Sequence, residues 1–76
     1  MENVIYSING PVVSVKGKTD LQMTEMVFVG NQRLIGEVIR IDSDETVIQV
    51  YEETSGLKPG DPVYPTAATS TNFLAS

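Results

Sequence analysis

Seventy-six residues make one small domain, which hides only about 60% of the surface its unfolded chain exposes. With no cysteine to staple it and no histidine to act as base or metal ligand, the chain must hold itself by sheet closure and apolar packing, or lean on neighbours. Ten acidic residues against five scattered basic ones give a net charge of −5, which excludes the basic stripe of a nucleic-acid binder.

Apolar runs are only a few residues long, far short of the ~20 a membrane helix needs. The start Met1-Glu2-Asn3 shows no secretory signal, so a cytosolic or cytosol-facing protein is expected.

Short strands punctuated by turn chemistry fill the chain. Val4 to Ile8 is rich in β-branched and aromatic residues and is interrupted by Gly10-Pro11. Val12 to Lys16 follows, with Val13 and Val15 on one face and Ser14 and Lys16 on the other. Gly17 to Asp20 is a polar connection, Thr24 to Val29 a third strand, Gly30 to Gln32 a tight turn, and Leu34 to Ile41 a fourth strand. Asp42 to Glu45 is a turn whose Asp and Ser side chains suit capping of their own backbone.

Thr46 to Tyr51 is the clearest strand, with Ile48 and Val50 on one face and Gln49 and Tyr51 on the other. Pro59-Gly60 is the order that a type II turn asks for, with Pro presetting φ and Gly tolerating a positive one. Val63-Tyr64 reads as a short strand, and Thr66 to Ser76 as a small-residue tail. The region Thr19 to Met26 makes no convincing helical stripe. Strands at roughly ten-residue spacing predict an all-β barrel or sandwich, and closure into a barrel leaves no unpaired edge.

Most of the features that suggest chemistry have a simpler reading. Gly36, inside a strand pattern, marks a bulge or a close backbone approach rather than a ligand contact. Glu52 and Glu53 are adjacent on extended chain and point apart, so they do not converge on one substrate. The acidic turn lacks the order and the twelfth-position Glu of a calcium loop. Gly17-Lys18-Thr19 lacks the upstream Gly of a phosphate-binding loop. Met23 and Met26 read as core filler.

Glu37 shares the parity of Ile35, Ile39 and Ile41. On an interior face it needs a hydrogen-bonding or cationic partner, or a raised pKa. On a face packed against a neighbouring subunit it is an interface residue. A bulge at Gly36 would instead turn it into water.

The run Ile5 to Val13, with its Gly10-Pro11-Val12 turn, resembles the opening of rotary ATPase head subunits. Met23 to Gly30, Leu34 to Asp42, Ile48 to Leu57 and Gly60 to Val63 continue the resemblance in order over residues 4–66. The Gln49-Val50-Tyr51-Glu52-Glu53-Thr54 run is similar to the catalytic A subunit of V-type and A-type enzymes, rather than to the B subunit or the F-type β subunit. After Thr66 the family continues with Gly and a Pro-Leu-Ser run, where this chain has Ala67-Ala68-Thr69.

The resemblance implies a six-stranded closed Greek-key-like barrel at residues 1–66. Residues 67–76 form a divergent tail, either a last strand around Asn72 to Leu74 or a disordered segment. It implies a crown that holds alternating A and B subunits in a hexameric head, cytoplasmic and peripheral on the membrane as part of the complex. ATP and magnesium then belong to the parent ion-transporting ATPase and not to this segment, which has no catalytic, cofactor or metal residue of its own. Glu37 and Tyr51 are the candidate subunit-interface residues, with no nucleic-acid or direct membrane contact expected. The alternative is a free-standing small-barrel interaction module; a stand-alone enzyme is disfavoured by the lack of His and Cys.

Overall fold

Alternation of β-branched and polar residues dictates strands whose buried sides face one another, and the computed structural model, which describes residues 3–17 and 19–69, shows how they close. The strands are β1 (Asn3–Asn9), β2 (Val12–Lys16), β3 (Glu25–Val29), β4 (Leu34–Ile41), β5 (Glu45–Val50) and β6 (Pro62–Thr69). They form a closed barrel in the order β1-β2-β5-β4-β3-β6, with every pairing antiparallel. β3, β4 and β5 are a hairpin meander, and β2 lies beside β5 rather than beside β3, its successor in the chain, as in a Greek key.

The interior is built from the alternating positions Ile5, Val13, Val15, Val27, Val29, Val38, Ile48, Val50 and Val63, with Leu21 and Leu34 in the same buried cluster. Each such side chain contributes about 1.5–3 kcal/mol on burial. A six-stranded barrel leaves little room inside, so β-branched residues dominate and one position has no side chain. A Cβ on Gly36 would lie 2.9 Å from Ile48 Cγ2, 3.1 Å from the Gln49 carbonyl oxygen and 3.3 Å from Val29 Cγ2. Gly36 is thus a close approach. The irregularity in β4 falls later, between Val38 and Arg40, where Ile39 is the extra residue.

Turn chemistry fixes the register. Gly10 takes φ 63° and Pro11 cannot follow it there, which matches the II′ hairpin turn with Gly in first place. The expected type II turn is present: Gly60 has φ 96° and the Asp61 N–H donates to the Lys58 carbonyl at 3.1 Å. Asp61 itself is buried, and its carboxylate accepts the Lys58 N–H and the Lys58 ammonium, each at 3.1 Å. Those hydrogen bonds, the backbone one foremost, hold its pKa below the ordinary aspartate value. Their contribution to stability is complete above about pH 3.9 and is lost as pH falls through the lower folded value.

Three features differ from the sequence expectation. The last strand is longer than Val63-Tyr64 because β6 continues to Thr69 through a bulge. Pro65 is tolerated within it as the partner of Val27. Met26 is buried but Met23 is half exposed, so only one of the two methionines fills space. The carboxylates of the Asp42–Glu45 turn reach cations on neighbouring strands: Asp42 pairs with Arg40 at 3.1 Å and Asp44 with Lys16 at 3.2 Å. The strand considered around Asn72 to Leu74 lies outside the described residues.

Replacing Gly36 with Ala puts a methyl group against a backbone carbonyl that cannot yield. The Gly36→Ala chain should lose about 1–3 kcal/mol of stability, read from the shift of its urea midpoint.

Candidate functional site

On the outer wall the same alternation brings a second set of residues together. Tyr64 of β6 is the register partner of Phe28 in β3, and Phe28 is the partner of Ile35 in β4. Ile35 in turn accepts the Tyr51 N–H at 2.9 Å, just past the end of β5. Tyr64, Phe28, Ile35 and Tyr51 therefore form one transverse row across four strands. The first three are half-buried and Tyr51 is 54% exposed. Arg33 closes one end of the row, its guanidinium 4.6 Å from the centre of the Tyr64 ring.

Glu37 stands one step along β4 from this row, between Met26 and Gln49 in register. Because the β4 bulge comes after it, Glu37 keeps the parity of Ile35 and faces outward, half-buried. Of the alternatives open from sequence, the outer face is the one observed, and the Tyr51 hydroxyl donates a hydrogen bond to the Glu37 carboxylate. That bond, then burial, then the nearby negative charge hold the Tyr51 phenol above its ordinary pKa.

The chain after β5 is held in place by its neighbours. The Ile35 N–H donates to the Glu52 carboxylate at 2.8 Å and the Thr54 hydroxyl to the Gly10 carbonyl at 2.8 Å, while Val50, the last residue of β5, donates its N–H to the Pro11 carbonyl at 2.8 Å. Glu52 and Glu53 are both exposed, as expected for a solvated strand end, but Glu52 also ties this end to β4.

The structure brings Glu37 and Tyr51 together, a pairing that neither spacing nor parity suggests. Sequence reasoning missed Phe28, Ile35 and Tyr64 as members of the same row. Their signal was present, since each is flanked by residues that face the core, namely Val27 and Val29, Leu34 and Gly36, and Val63. Among the described residues no three His, Cys, Asp or Glu side chains are grouped to hold a metal ion. An outer row of aromatic and aliphatic groups with one hydrogen-bonded carboxylate is suited to contact with another protein surface, not to acid–base chemistry.

Residues 5–67 match the family described as the ATP synthase alpha/beta family, beta-barrel domain. The chain belongs to that family. Among its relatives, the A subunit of the A-type ATP synthase of Metallosphaera sedula is 52% identical over 64 residues, covering 84% of this chain and 11% of the relative. The corresponding protein of Haloferax volcanii is 55% identical over 62 residues, covering 82% and 10% respectively. That of Hyperthermus butylicus is 55% identical over 64 residues, covering 84% and 11%. The chain thus spans about a tenth of the length of these relatives, and the resemblance seen in its motifs agrees with their names.

In fold it is similar to the assembled ATPase EscN of the enteropathogenic E. coli type III secretion system, at a TM-score of 0.76 and 23% identity, covering 86% of this chain and 16% of that one. At that identity the likeness is one of fold alone.

The raised Tyr51 pKa means that the neutral phenol is favoured in the folded state. Its contribution to stability is complete below about pH 10 and is lost as pH rises through the higher folded value. Ultraviolet titration of the folded chain should show one tyrosine ionising above the ordinary value. In Glu37→Gln that midpoint should fall toward about 10, and in Tyr51→Phe the component should vanish.

Proposed function

We propose that this barrel is the assembly element of the catalytic A subunit of an A-type or V-type rotary ATPase, and that its outer wall binds the barrels of neighbouring A and B subunits in the head. The observation that supports this is the transverse row Tyr64, Phe28, Ile35 and Tyr51, which lies outside the barrel core and carries Glu37 at its side. Aromatic residues are enriched in the buried centres of protein interfaces, and a hydrogen-bonded tyrosine supplies large contact area at small entropic cost. Family membership supplies the kind of partner, since the relatives are named as subunits of a synthase.

On this reading the barrel ties subunits together, and ATP hydrolysis or synthesis coupled to H+ or Na+ transport is the work of the rest of the parent subunit. Magnesium and ATP bind there, and the complex is cytoplasmic and peripheral on the membrane.

The test replaces Tyr51 with Asp in the full-length parent subunit. Head assembly with its partner subunits is then measured by native mass spectrometry. The new carboxylate stands beside Glu37 and would be buried against the neighbour, so assembly should weaken by about tenfold or more. The same substitution in the 76-residue chain removes the Glu37 hydrogen bond and should cost folding about 1 kcal/mol, less than the loss in assembly. Equal loss of assembly and folding would count against the proposal, and unchanged assembly would favour a free-standing barrel. Magnesium-ATP titrated calorimetrically into the 76-residue chain should give no saturable heat; a saturable, magnesium-dependent isotherm would overturn the scaffold reading.

A further inference from the structure

Thr24 and Ala67, neither of them glycine, hold the left-handed backbone region at φ 62° and φ 63°. Side chains disfavour that region, and a β-branched threonine does so strongly. Such conformations persist only where the surroundings impose them. The two residues are far apart in sequence, yet one side chain reaches both segments. Glu25 is 4% exposed, and its carboxylate accepts the Gln22 N–H on Oε1 and the Ala67 N–H on Oε2, each at 2.9 Å.

Each segment has further ties of its own. On the first, the Thr24 N–H donates to the Val38 carbonyl at 2.9 Å and the Glu25 N–H to the Gln22 carbonyl at 3.1 Å. On the second, the Thr66 hydroxyl donates to the Met26 carbonyl at 2.6 Å and the Ala68 N–H donates to the Thr66 hydroxyl at 3.1 Å. The second segment is the bulge itself: β3 advances from Glu25 to Val27 while β6 goes from Thr69 to Pro65, two residues more. A buried carboxylate that spends both oxygens on backbone N–H groups is strongly bound, because charge-assisted hydrogen bonds are the stronger kind.

We propose that Glu25 is a positioning residue that couples the Gln22–Thr24 turn to the Thr66–Ala68 bulge, so that the two strained segments order together and the course of β6 beyond Thr66 is set from the neighbouring strand of the barrel wall. The carboxylate bonds directly to the backbone of both segments and uses a side chain of neither strained residue. Losing either bond leaves an amide with the cost of an unmade hydrogen bond. The proposal concerns the chain's own order and stands apart from the subunit contact of the outer wall.

Amide hydrogen exchange of the 76-residue chain, followed by NMR, tests it with Glu25→Gln, Thr66→Val and the double variant. Glu25→Gln places an NH2 group where an acceptor was. Exchange at Gln22 and Ala67 should accelerate together by about tenfold or more, while Val38 and Ile48 stay within about twofold. Thr66→Val loosens the bulge from its far side. With Glu25 in place it should also speed exchange at Gln22, and in the Glu25→Gln background it should add nothing there. If Glu25→Gln does not fold, the response of Gln22 to Thr66→Val carries the test. Gln22 exchange that ignores Thr66→Val, or acceleration spread evenly over all six strands, would overturn the coupling.

Discussion

Six strands close around an interior so narrow that a side chain at Gly36 would collide with a methyl group of Ile48. Much of the remaining structure depends on that fit. The inward positions must be small or β-branched, which selects Val13, Val15, Val27, Val29, Val38, Val50 and Val63. Two leucines join them, Leu21 from the connection between β2 and β3 and Leu34 at the start of β4, and most other large side chains go to the outer wall. Among the described residues the aromatics are accordingly kept off the core cluster, and Tyr64, Phe28 and Tyr51 line up outside. A barrel too thin to bury its aromatics presents them to whatever it meets.

Closure also explains how an acidic chain without cysteine holds together. With every strand paired on both sides, little backbone is left to template an unwanted partner. Charges then work at the rims, where Lys16 meets Asp44 and Arg40 meets Asp42 and Glu45. These pairs are largely exposed and hold loops rather than the core. The buried carboxylate of Glu25 in β3 is satisfied by backbone amides, and Asp61 by both the amide and the ammonium of Lys58. Within the ATP synthase alpha/beta family, then, this barrel separates a sealed interior from a decorated exterior.

Much of the fold was legible before the structure. The alternation in β5 and the Pro59-Gly60 turn are local signals, and local geometry followed them. The full length of β6 was not legible, because Pro65 and the small residues after it give no strand pattern; its pairing with β3 is set by Glu25 and Met26, some forty residues earlier. Position 67 is instructive. The resemblance implies Gly after Thr66, and Ala67 here takes φ 63°, a region that suits glycine. Glu37 and Tyr51 were legible as candidates, through parity and resemblance, but not as a pair. Their hydrogen bond depends on the pairing of β4 with β5 and on the bulge falling at Ile39 rather than Gly36, which no periodicity encodes.

The seam between β1 and β6 joins Asn3 to Val63 and Val4 to Pro62, with Ile5 bonded to Gly60 and Asp61 beyond them. Those partners are the most distant in sequence of any paired strands in the barrel. The hairpins β1–β2, β3–β4 and β4–β5 can each zip from their own turns, whereas β2–β5, β3–β6 and this seam join strands distant in sequence. Chain entropy opposes each of these distant meetings until the contacts are made, and the seam spans the longest stretch of chain. The ring that gives the finished domain its lack of edges is therefore also what makes its contacts distant in sequence.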